Sequence, residues 1–569
     1  MNTKLTSFFK LFVLLAFSLL ALSVSVCSAQ ELGGTYNVTH YGAVGDGKTL
    51  DTPAIVRAIE AASKNGGGTV FFPAGTYVTG TFEILSNVTL RLGAGSVLEG
   101  SRDTSQYKLK SYYKLRAYKS GQSGEGLRAG IIVANHAKNI AIVGHGTIQG
   151  NGMYFMNAKT PHYGGDFVKS MTWQGEDFLS PKFGESDGPI KPWMPWDDRP
   201  GALIILAQSE NVLVKDITIK DSPNWTVNIE DCRNVDVRGI DVLNSPLIPN
   251  NDGINIMAKN ARISDCNIWT ADDGIAANEC DNLTVTNCVI SSRSSAIRFD
   301  GGRYCTFDNL IFRDTNRGIG VYDSARYVLF SNILMQTHQF TGDWWGKAEP
   351  IYIAVRLNQP FNGRTLIKNI RFVNITANAE DGVMIYGTSQ NVIKNISFDH
   401  IRIKMKGGVN ADAVGGNFDL RGLGADPALS LFKHYIPGIY SQYVDGLRIN
   451  DFKLEWADSL PGYFSNGIYC EHFKNVRVHG FDGRQAQTNR SDPAIVLEHG
   501  TDVSILNCRA SKGTGTFLYL KDVKDKRQFI DNDLIEARRS TVPSRPGFMV
   551  MSGNLVAHGA SKSARPISK

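Results

Sequence analysis

One pattern decides the fold, and it occurs four times in succession: NVLVKDITI (211–219), NVDVRGIDV (234–242), NARISDCNI (260–268) and NLTVTNCVI (282–290). The copies begin 23, 26 and 22 residues apart. Each copy alternates apolar and polar residues over two short strands that are separated by a bend. A repeat of roughly 20–25 residues with this pattern predicts one coil of a parallel β-helix. A β-propeller, the competing fold, has repeats about twice as long.

The pattern continues toward the C-terminus in less regular copies. These begin at Cys305, Tyr327, Asn369, Asn395, Gly446, Asn475 and Asp502. Apolar residues at alternate positions would point inward and stack from coil to coil. The Asn residues at the bends suit a left-handed backbone conformation. The sequence therefore predicts an all-β solenoid.

A single helix is predicted near the N-terminus. Asp51-Thr52-Pro53 has the features of a helix start, and Gly66–Gly68 would end the helix. Ile55, Ile59 and Ala62 form an apolar stripe between these signals. Because only short strands follow, we expect this helix to cover the open end of the solenoid.

Residues 1–29 have the pattern of a secretory signal peptide. Lys4 and Lys10 flank the start of a long apolar run, and Cys27-Ser28-Ala29 supplies small residues before a cut after Ala29. This pattern predicts a secreted or periplasmic protein. A lipid anchor at Cys27 is the alternative, although Val26 fits a lipobox poorly. The apolar run is short for a membrane span, and no later stretch competes with it.

The remaining chain, 30–569, is predicted to be one catalytic β-helix domain. We divide it into an N-terminal cap with the first coils (30–100), coils with long insertions (101–200), central coils with the site (201–400) and C-terminal coils with a tail (401–569). The segment after about Lys521 has a loose pattern that indicates a C-terminal cap and tail. The insertions are 101–130 and 152–200, and a further break covers 404–445. Insertions of this length are usually functional or disordered.

Composition limits the partners and cofactors. Hydrophobic residues make up 42% of the chain and charged residues 20%, as in ordinary soluble proteins. The 60 basic and 54 acidic residues leave too small an excess to indicate a nucleic-acid partner. Seven cysteines follow Cys27, and we expect buried, stacked thiols rather than a disulfide framework. With no CxxC motif or His-rich cluster, we predict neither a metal site nor a cofactor. We expect a monomer.

Three carboxylates mark the candidate site, in NNDGINIMAKNARISDCNIWTADDGIAAN (250–278). Asp252 lies about one repeat before the pair Asp272 and Asp273, so the coils would place all three on one outer face. Repulsion among clustered carboxylates should raise at least one pKa. Such a group suits general acid–base work on a glycosidic bond. Alternatively, Asn-Asp-Gly and Asp-Gly are simple turn sequences.

These motifs make the chain similar to the polygalacturonase family, glycoside hydrolase family 28. The resemblance covers roughly residues 36–400 and is carried by a few stretches. They are YGAVGDGKTLDTPAIVRAIEAA (41–62), VFFPAGTYVTG (70–80), GHGTIQGNG (144–152), RPGALIILAQSENVLVKDITIKDSPNWTV (199–227) and, most specifically, NNDGI with ADDGIA. The last two look like the family's Asn-Thr-Asp-Gly and Gly-Asp-Asp motifs.

The resemblance implies a right-handed parallel β-helix and a role for each acid. Asp272 would protonate the leaving oxygen, and Asp252 and Asp273 would hold and activate the attacking water. The reaction would invert the anomeric centre by a single displacement.

Two neighbouring turns depart from the family's pattern. Ser294-Ser295-Ala296 stands where the family has Gly-His-Gly. The family's substrate-gripping Arg-Ile-Lys should fall within RGIGVYD, where Arg317-Gly318-Ile319 remains but Gly320 and Tyr322 replace the basic residues. Arg298 is a candidate replacement charge, or else the partner of a surface salt bridge. Tyr322 is a candidate to stack on a sugar or to hydrogen-bond it.

The segment GDWWGKAEPIYI (342–353) is a candidate wall of a substrate groove on the side of the β-helix. Trp344 and Trp345 could stack on sugar rings, and Lys347 with Glu349 could bind hydroxyls. The alternative is a packed turn that covers the core.

Three function classes follow. The first is an exported glycoside hydrolase on a pectin-related or other complex polysaccharide, with the insertions closing one end of the groove for exo action. The second is a polysaccharide lyase on the same fold, with the acids as ligands of Ca²⁺. The third is a carbohydrate-binding β-helix without catalysis.

Overall fold

The computed structural model describes residues 34–108, 130–161, 193–195, 199–340, 346–355, 366–420, 431–487, 491–543 and 549–557. Across these residues, 34 strands form one continuous parallel sheet that coils around a single apolar core. The fold is the predicted all-β, right-handed parallel β-helix.

The strands are grouped by the coils to which they belong. The N-terminal coils contain β1 (Thr35–Asn37), β2 (Asp46–Leu50), β3 (Gly68–Phe72), β4 (Gly75–Thr79), β5 (Phe82–Glu83), β6 (Val88–Leu92) and β7 (Ser96–Gly100). Next come β8 (Ile132–Asn135), β9 (Lys138–Gly144), β10 (Thr147–Gln149), β11 (Met156–Pro161) and β12 (Trp193–Pro195). The central coils contain β13 (Ile204–Ala207), β14 (Glu210–Lys215), β15 (Thr218–Lys220), β16 (Val227–Arg238), β17 (Asp241–Leu243), β18 (Ile254–Ser264), β19 (Asn267–Thr270), β20 (Ile275–Thr286), β21 (Val289–Thr337), β22 (Ile351–Ala354), β23 (Lys368–Ala379), β24 (Val383–Tyr386) and β25 (Ile393–Met405).

The C-terminal coils contain β26 (Asn417–Asp419), β27 (Leu431–Lys433), β28 (Ile439–Gln442), β29 (Val444–Trp456), β30 (Ile468–Glu471), β31 (Lys474–Gly483), β32 (Ile495–Leu506), β33 (Arg509–Ala510), β34 (Thr514–Ile530), β35 (Asp533–Leu534), β36 (Ala537–Pro543), β37 (Val550–Ser552) and β38 (Leu555–Val556). Two antiparallel pairs, β11 with β12 and β26 with β27, lie outside the main sheet. A short helix, Ala411–Val414, precedes the second pair.

The predicted capping helix is α1, Thr52–Lys64, with a proline in its first turn. Its apolar stripe is buried, including Ile55, Ile59 and Ala62. The side chain of Asp51 fixes the preceding loop by accepting hydrogen bonds from the backbone N–H groups of Val44 and Gly45, at 2.7 and 3.1 Å. The helix therefore caps the coil through both apolar and polar contacts.

A ladder of asparagines runs along one corner of the helix. Its members lie in successive coils with left-handed φ angles between 53° and 63°: Asn87, Asn139, Asn211, Asn234, Asn260 and Asn282. Each side-chain amide donates to the preceding one, with N···O distances from 2.8 to 3.3 Å. The predicted left-handed bends are confirmed, and each turn is tied to its neighbour by a side-chain hydrogen bond.

Side chains inside the coil also stack in register. Phe307, Phe330, Phe372 and Phe398 form one continuous stack, with ring centroids 4.7 to 5.1 Å apart. All seven cysteines from Cys232 to Cys508 are buried free thiols, as predicted. The phenylalanine stack shows that an inward position of one coil is repeated at the equivalent position of the next.

The C-terminal part differs from the prediction of a loosely patterned tail after about Lys521. Strands β34 to β38 continue the parallel pairing to Val556. The predicted break at 404–445 contains the helix Ala411–Val414 and the β26–β27 pair. Most of the two predicted insertions and the whole predicted signal peptide lie outside the described residues. The division of the chain into domains stays a prediction.

Candidate active site

The register of the central coils aligns the two acidic turns with a serine-containing turn in the next coil. Ile254 of β18 pairs with Ile275 of β20, which pairs with Ile297 of β21. Asp252, Asp273 and Ser295 each lie two residues before one of these isoleucines. They therefore occupy the same position in three successive coils.

The glycine after each aspartate lets these turns approach closely. A Cβ on Gly253 would lie 2.5 Å from the carbonyl oxygen of Gly274, and a Cβ on Gly274 would lie 2.7 Å from that of Ala296. Gly253 N–H donates to the carbonyl of Asp273 at 2.9 Å. The Asp-Gly pairs thus bring the carboxylates of neighbouring coils together.

Asp273 is the carboxylate with the most donors. It accepts hydrogen bonds from Ser294 Oγ and from the backbone N–H of Ser295, both at 3.1 Å. The guanidinium of Arg298 lies 3.3 Å from its other oxygen. These three contacts stabilise a negative charge on a buried side chain.

Asp272 has a different environment. Burial and the neighbouring charge of Asp273 raise its pKa to about 6. Its carboxylate accepts from the backbone N–H of Asp273 at 3.0 Å and lies 3.4 Å from the amide nitrogen of Asn250. A carboxyl group with this pKa can hold a proton in mildly acidic solution and release it to a bound ligand.

Asp252 is the least compensated of the three. Burial, together with the charges of Asp272 and Asp273, raises its pKa well above the usual value. Its side chain is almost completely buried, and Oδ1 has no hydrogen-bond partner among the described residues. An unpartnered carboxylate oxygen is costly unless it faces a ligand or water.

Arg298 balances two carboxylates. Its guanidinium contacts Asp273 at 3.3 Å and Asp300 at 2.8 Å, and about a third of the side chain (35%) is exposed. The structure therefore places this predicted replacement charge at the acids, in a salt bridge.

The turn before Asp252 is fixed by a second arginine. Buried Arg199 donates to the carbonyls of Pro223 and Pro249, and to the side-chain oxygen of Asn250 at 3.0 Å. Asn251 accepts from the backbone N–H groups of Ala271 and Asp272, at 2.8 and 3.2 Å. These contacts hold the acids of neighbouring coils in one arrangement.

Two family models match parts of the chain. One, described as rhamnogalacturonase A/epimerase, pectate lyase-like, covers residues 35–165. The other, described as a right-handed beta helix region, covers residues 202–359. Together they agree with the fold and with a likeness to pectin-active proteins.

Two curated relatives add a narrower likeness. A probable polygalacturonase of Vitis vinifera is 31% identical over 246 residues, or 42% of this chain and 43% of the relative. An exo-poly-alpha-D-galacturonosidase of Dickeya chrysanthemi is 28% identical over 278 residues, or 47% of this chain and 42% of the relative. Over the matched segments the chain is similar to polygalacturonases. The matches span less than half the length of these two proteins.

A solved structure agrees on the fold. An exopolygalacturonase from Thermotoga maritima superimposes with a TM-score of 0.51 at 17% identity, over 74% of this chain and 92% of that one. At this identity the likeness concerns the fold alone.

The departures of this polygalacturonase-like chain now have a structural description. Ser294 and Ser295, which replace the expected Gly-His-Gly turn, are the residues that bind Asp273. The sequence marked these serines only as a departure from the family's turn, not as donors to Asp273. The repeat interval contained the signal, because Ser295 lies 22 residues after Asp273.

The predicted sugar contacts of Arg317 and Glu349 are not what the structure provides. Both side chains are fully buried, with 2% and 0% exposure, and they form a bidentate pair at 3.1 and 3.2 Å. Tyr322 is also buried, and its hydroxyl contacts the guanidinium of Arg317. The sequence shows the residue types, but it does not show that Arg317 and Glu349 pair with each other in the interior of the protein.

The remaining predicted contacts lie in the same segment. Lys347 is buried, and its backbone N–H donates to Glu349 at 2.7 Å, so the Lys347–Glu349 pair does not face the groove as predicted. Trp344 and Trp345 lie outside the described residues. The alternative of a packed turn fits the described part of this segment.

Two further observations concern other classes of site. Among the described residues there is no group of three His, Cys, Asp or Glu arranged to hold a metal ion. That part of the chain also contains no helix long and apolar enough to cross a bilayer.

Proposed function

We propose that this chain is a glycoside hydrolase that cleaves a pectin-related polysaccharide by single displacement with inversion. The observation that carries the proposal is the contrast between two adjacent carboxyl groups. Asp272 has a pKa of about 6, whereas Asp273 beside it is bound by Arg298 and two serine donors. An acid and a base set apart by their environments are what this reaction needs.

In the proposed reaction Asp272 is the general acid. It donates its proton to the glycosidic oxygen as the bond to the anomeric carbon breaks, so the leaving sugar departs as an alcohol. The hydrogen bond from the backbone N–H of Asp273 holds its carboxyl group in place and stabilises the anion left after proton transfer.

Asp273 and Asp252 hold the attacking water on the opposite face of the sugar ring. Asp273 takes the proton of the attacking water, and its three donors hold the carboxylate in position for this transfer. Asp252, at the same position of the preceding coil, contributes a second carboxyl group toward that water. Arg298 limits the rise in negative charge by bridging Asp273 and Asp300.

The decisive experiment is a screen of purified protein on defined pectic and non-pectic oligosaccharides, with NMR of the product anomer. We expect inverted reducing ends, and a loss of roughly 10²- to 10⁴-fold in activity for Asp272→Asn. An unsaturated product that absorbs in the ultraviolet would show that the protein is a polysaccharide lyase rather than a hydrolase. Binding without any product, unchanged in Asp272→Asn, would indicate a non-catalytic protein.

We further propose exo action and export. The exo mode rests on the name of the Dickeya chrysanthemi relative and on the long insertions. Early products should then be short and uniform, and a ladder of long oligosaccharides would contradict this mode. Export rests on the pattern of residues 1–29, and an intact N-terminus on protein recovered from cells would contradict cleavage after Ala29.

A further inference from the structure

A groove lies at the corner of the β-helix that carries the asparagine ladder. In each central coil this corner follows the acidic turn by one strand, so the groove is on a different face from the acids. The register places Tyr304 and Tyr327 in the ladder between Asn282 and Asn369, because Thr284 pairs with Thr306 and Val328 with Ile370. Two tyrosines thus interrupt a column of small amide residues.

The backbone at both tyrosines is unfavourable for such large residues. Their φ angles are 56° and 55°, in the left-handed region that Asn and Gly tolerate better. The rings gain little burial in return, since the residues are 57% and 48% exposed. The rings stack on each other, with centroids 5.3 Å apart and planes 10° apart. Strained backbone at an exposed aromatic pair that also lines a groove points to a binding role.

The tyrosine stack forms one end of a groove of about 840 Å³. Beyond Tyr327 the ladder drops to the short side chains of Asn369 and Asn395, and then to Gly446, which has none. Because Tyr304 covers one face of the Tyr327 ring, the opposite face is left for a ligand. The volume is within the range of small-ligand sites.

Charged and polar groups line the adjoining strands. Arg448 is exposed, and no carboxylate lies within 4 Å of it among the described residues. Arg371, also exposed, makes only a long contact of 3.9 Å with Asp399. The carboxylate of Asp399 accepts from Asn450 Nδ2 at 2.6 Å and from Ser397 Oγ at 3.1 Å. The groove therefore offers cations beside an aromatic face and several hydrogen-bonding groups.

We propose that this groove binds a segment of an acidic polysaccharide, independently of cleavage. One sugar ring stacks on Tyr327, its hydroxyls bind the amides of the ladder, and a uronate carboxylate contacts Arg448 and Arg371. The two arginines suit a polysaccharide that carries one carboxylate per sugar. Nucleic-acid binding would need a broader basic surface. The choice of a pectic sugar rests on the proposed function, whereas the site itself rests on the groove.

The test uses the full chain with Asp272→Asn, which prevents turnover, and calorimetric titration with a hexamer of α-1,4-linked galacturonate. We expect two binding events. Adding Tyr327→Asn should remove one event or weaken it by about tenfold or more. Asn at this position restores the ladder residue and relieves the backbone strain, so the variant should fold with an unchanged or higher Tm.

The matched control is His472→Asn. His472 is also a left-handed, stacked aromatic residue, with φ 49° and its ring 4.7 Å from that of Tyr443, but at another corner. It should leave both binding events intact, whereas Arg448→Gln should weaken the same event as Tyr327→Asn. Unchanged affinity and stoichiometry in Tyr327→Asn would overturn the site, as would equal losses in His472→Asn. Equal binding of a neutral galactose hexamer would overturn the carboxylate contact. If the wild-type protein cleaves nothing but keeps the Tyr327-dependent event, the proposed function fails and the second site stands.

Discussion

At the residue scale, the protonation of Asp272 sets the pH range of the proposed activity. Burial and the charge of Asp273 raise its pKa to about 6, so the acid form predominates below that pH. We expect kcat/KM to fall as pH rises through about 6. Asp272→Asn should lose roughly 10²- to 10⁴-fold in kcat, which is the usual contribution of a general acid. A pH profile with no decline between 5 and 8, a range that brackets the pKa of about 6, would contradict this role.

Asp252 should destabilise the folded protein when its carboxyl group is ionised. Its pKa is raised in the folded state by burial and by Asp272 and Asp273, so folding favours the protonated form. Stability is then greatest at low pH and is lost as pH rises from the ordinary value of 3.8 toward the folded value. Asp252→Asn should therefore raise the stability at pH 7 by about 1–3 kcal/mol while lowering activity.

Thermal unfolding of both proteins across pH measures this difference. The control is Asp265→Asn, because hydrogen bonds from Ser264 and Asn287 lower the pKa of Asp265. Ionised Asp265 stabilises the fold above its unfolded pKa, and this contribution is lost as pH falls. Its replacement should not stabilise the protein at pH 7. A Tm for Asp252→Asn equal to or below wild type at pH 7 would mean that the carboxylate is already compensated.

The positions of the three acids could be predicted from the sequence, because the motifs and the repeat interval both placed them on one face. Their partners were harder to predict. The Ser295 N–H that binds Asp273 is a backbone group, and the bridging role of Arg298 depends on register. Arg317 and Glu349 resembled sugar ligands because residue type does not reveal whether a charge is buried.

At the scale of elements, the asparagine ladder combines a backbone preference with a side-chain bond. Asn234 has φ 53°, donates to Asn211 at 3.0 Å and accepts from Asn260 at 3.3 Å. Asn234→Ala loses both bonds and strains the turn, so we expect a loss of about 1–2 kcal/mol. Asn234→Gly keeps the backbone preference and should cost about half as much. Equal unfolding midpoints in urea for the two variants would show that the φ angle contributes nothing.

The buried pair of Arg317 and Glu349 offers a second test at this scale. Removing one partner leaves an uncompensated buried charge, so Arg317→Met should cost about 3–5 kcal/mol. The double variant Arg317→Met/Glu349→Met removes both charges and should recover much of that loss. Urea denaturation of the single and double variants measures the difference. A double variant no more stable than Arg317→Met would show that the pair acts through its geometry rather than its charge balance.

The elements were predictable where Asn marks the bends, and less so where it does not. Beyond Lys521 the left-handed positions belong to Asp522, Asp525 and Asp531, within a strongly charged stretch. Aspartate tolerates this conformation for the same reason as asparagine, through short-range bonding to the backbone. The regular apolar spacing is weaker there, so the last coils looked like a tail.

At the scale of the whole molecule, a β-helix is a stack in which each coil contacts only its neighbours. Its ends are the weak points, since they expose unpaired strand edges and the end of the core. Helix α1 covers one end by burying Ile55 and Ile59. The proposed catalytic acids lie several coils away, in the turns that precede β18 and β20. Loss of the cap should therefore change association without changing the site.

The last prediction follows from this separation. Ile55→Asp/Ile59→Asp places two charges against the core and should detach the helix. The exposed end then pairs with other molecules, so light scattering should report oligomers while the soluble fraction keeps its specific activity. Glu60→Lys, at an exposed position of the same helix, is the matched control and should remain monomeric. Cooperative loss of the entire far-ultraviolet signal in the double variant would show that the coils unfold as one unit. A monomeric double variant would show that the first coil protects its own edge, and that the helix contributes packing rather than protection.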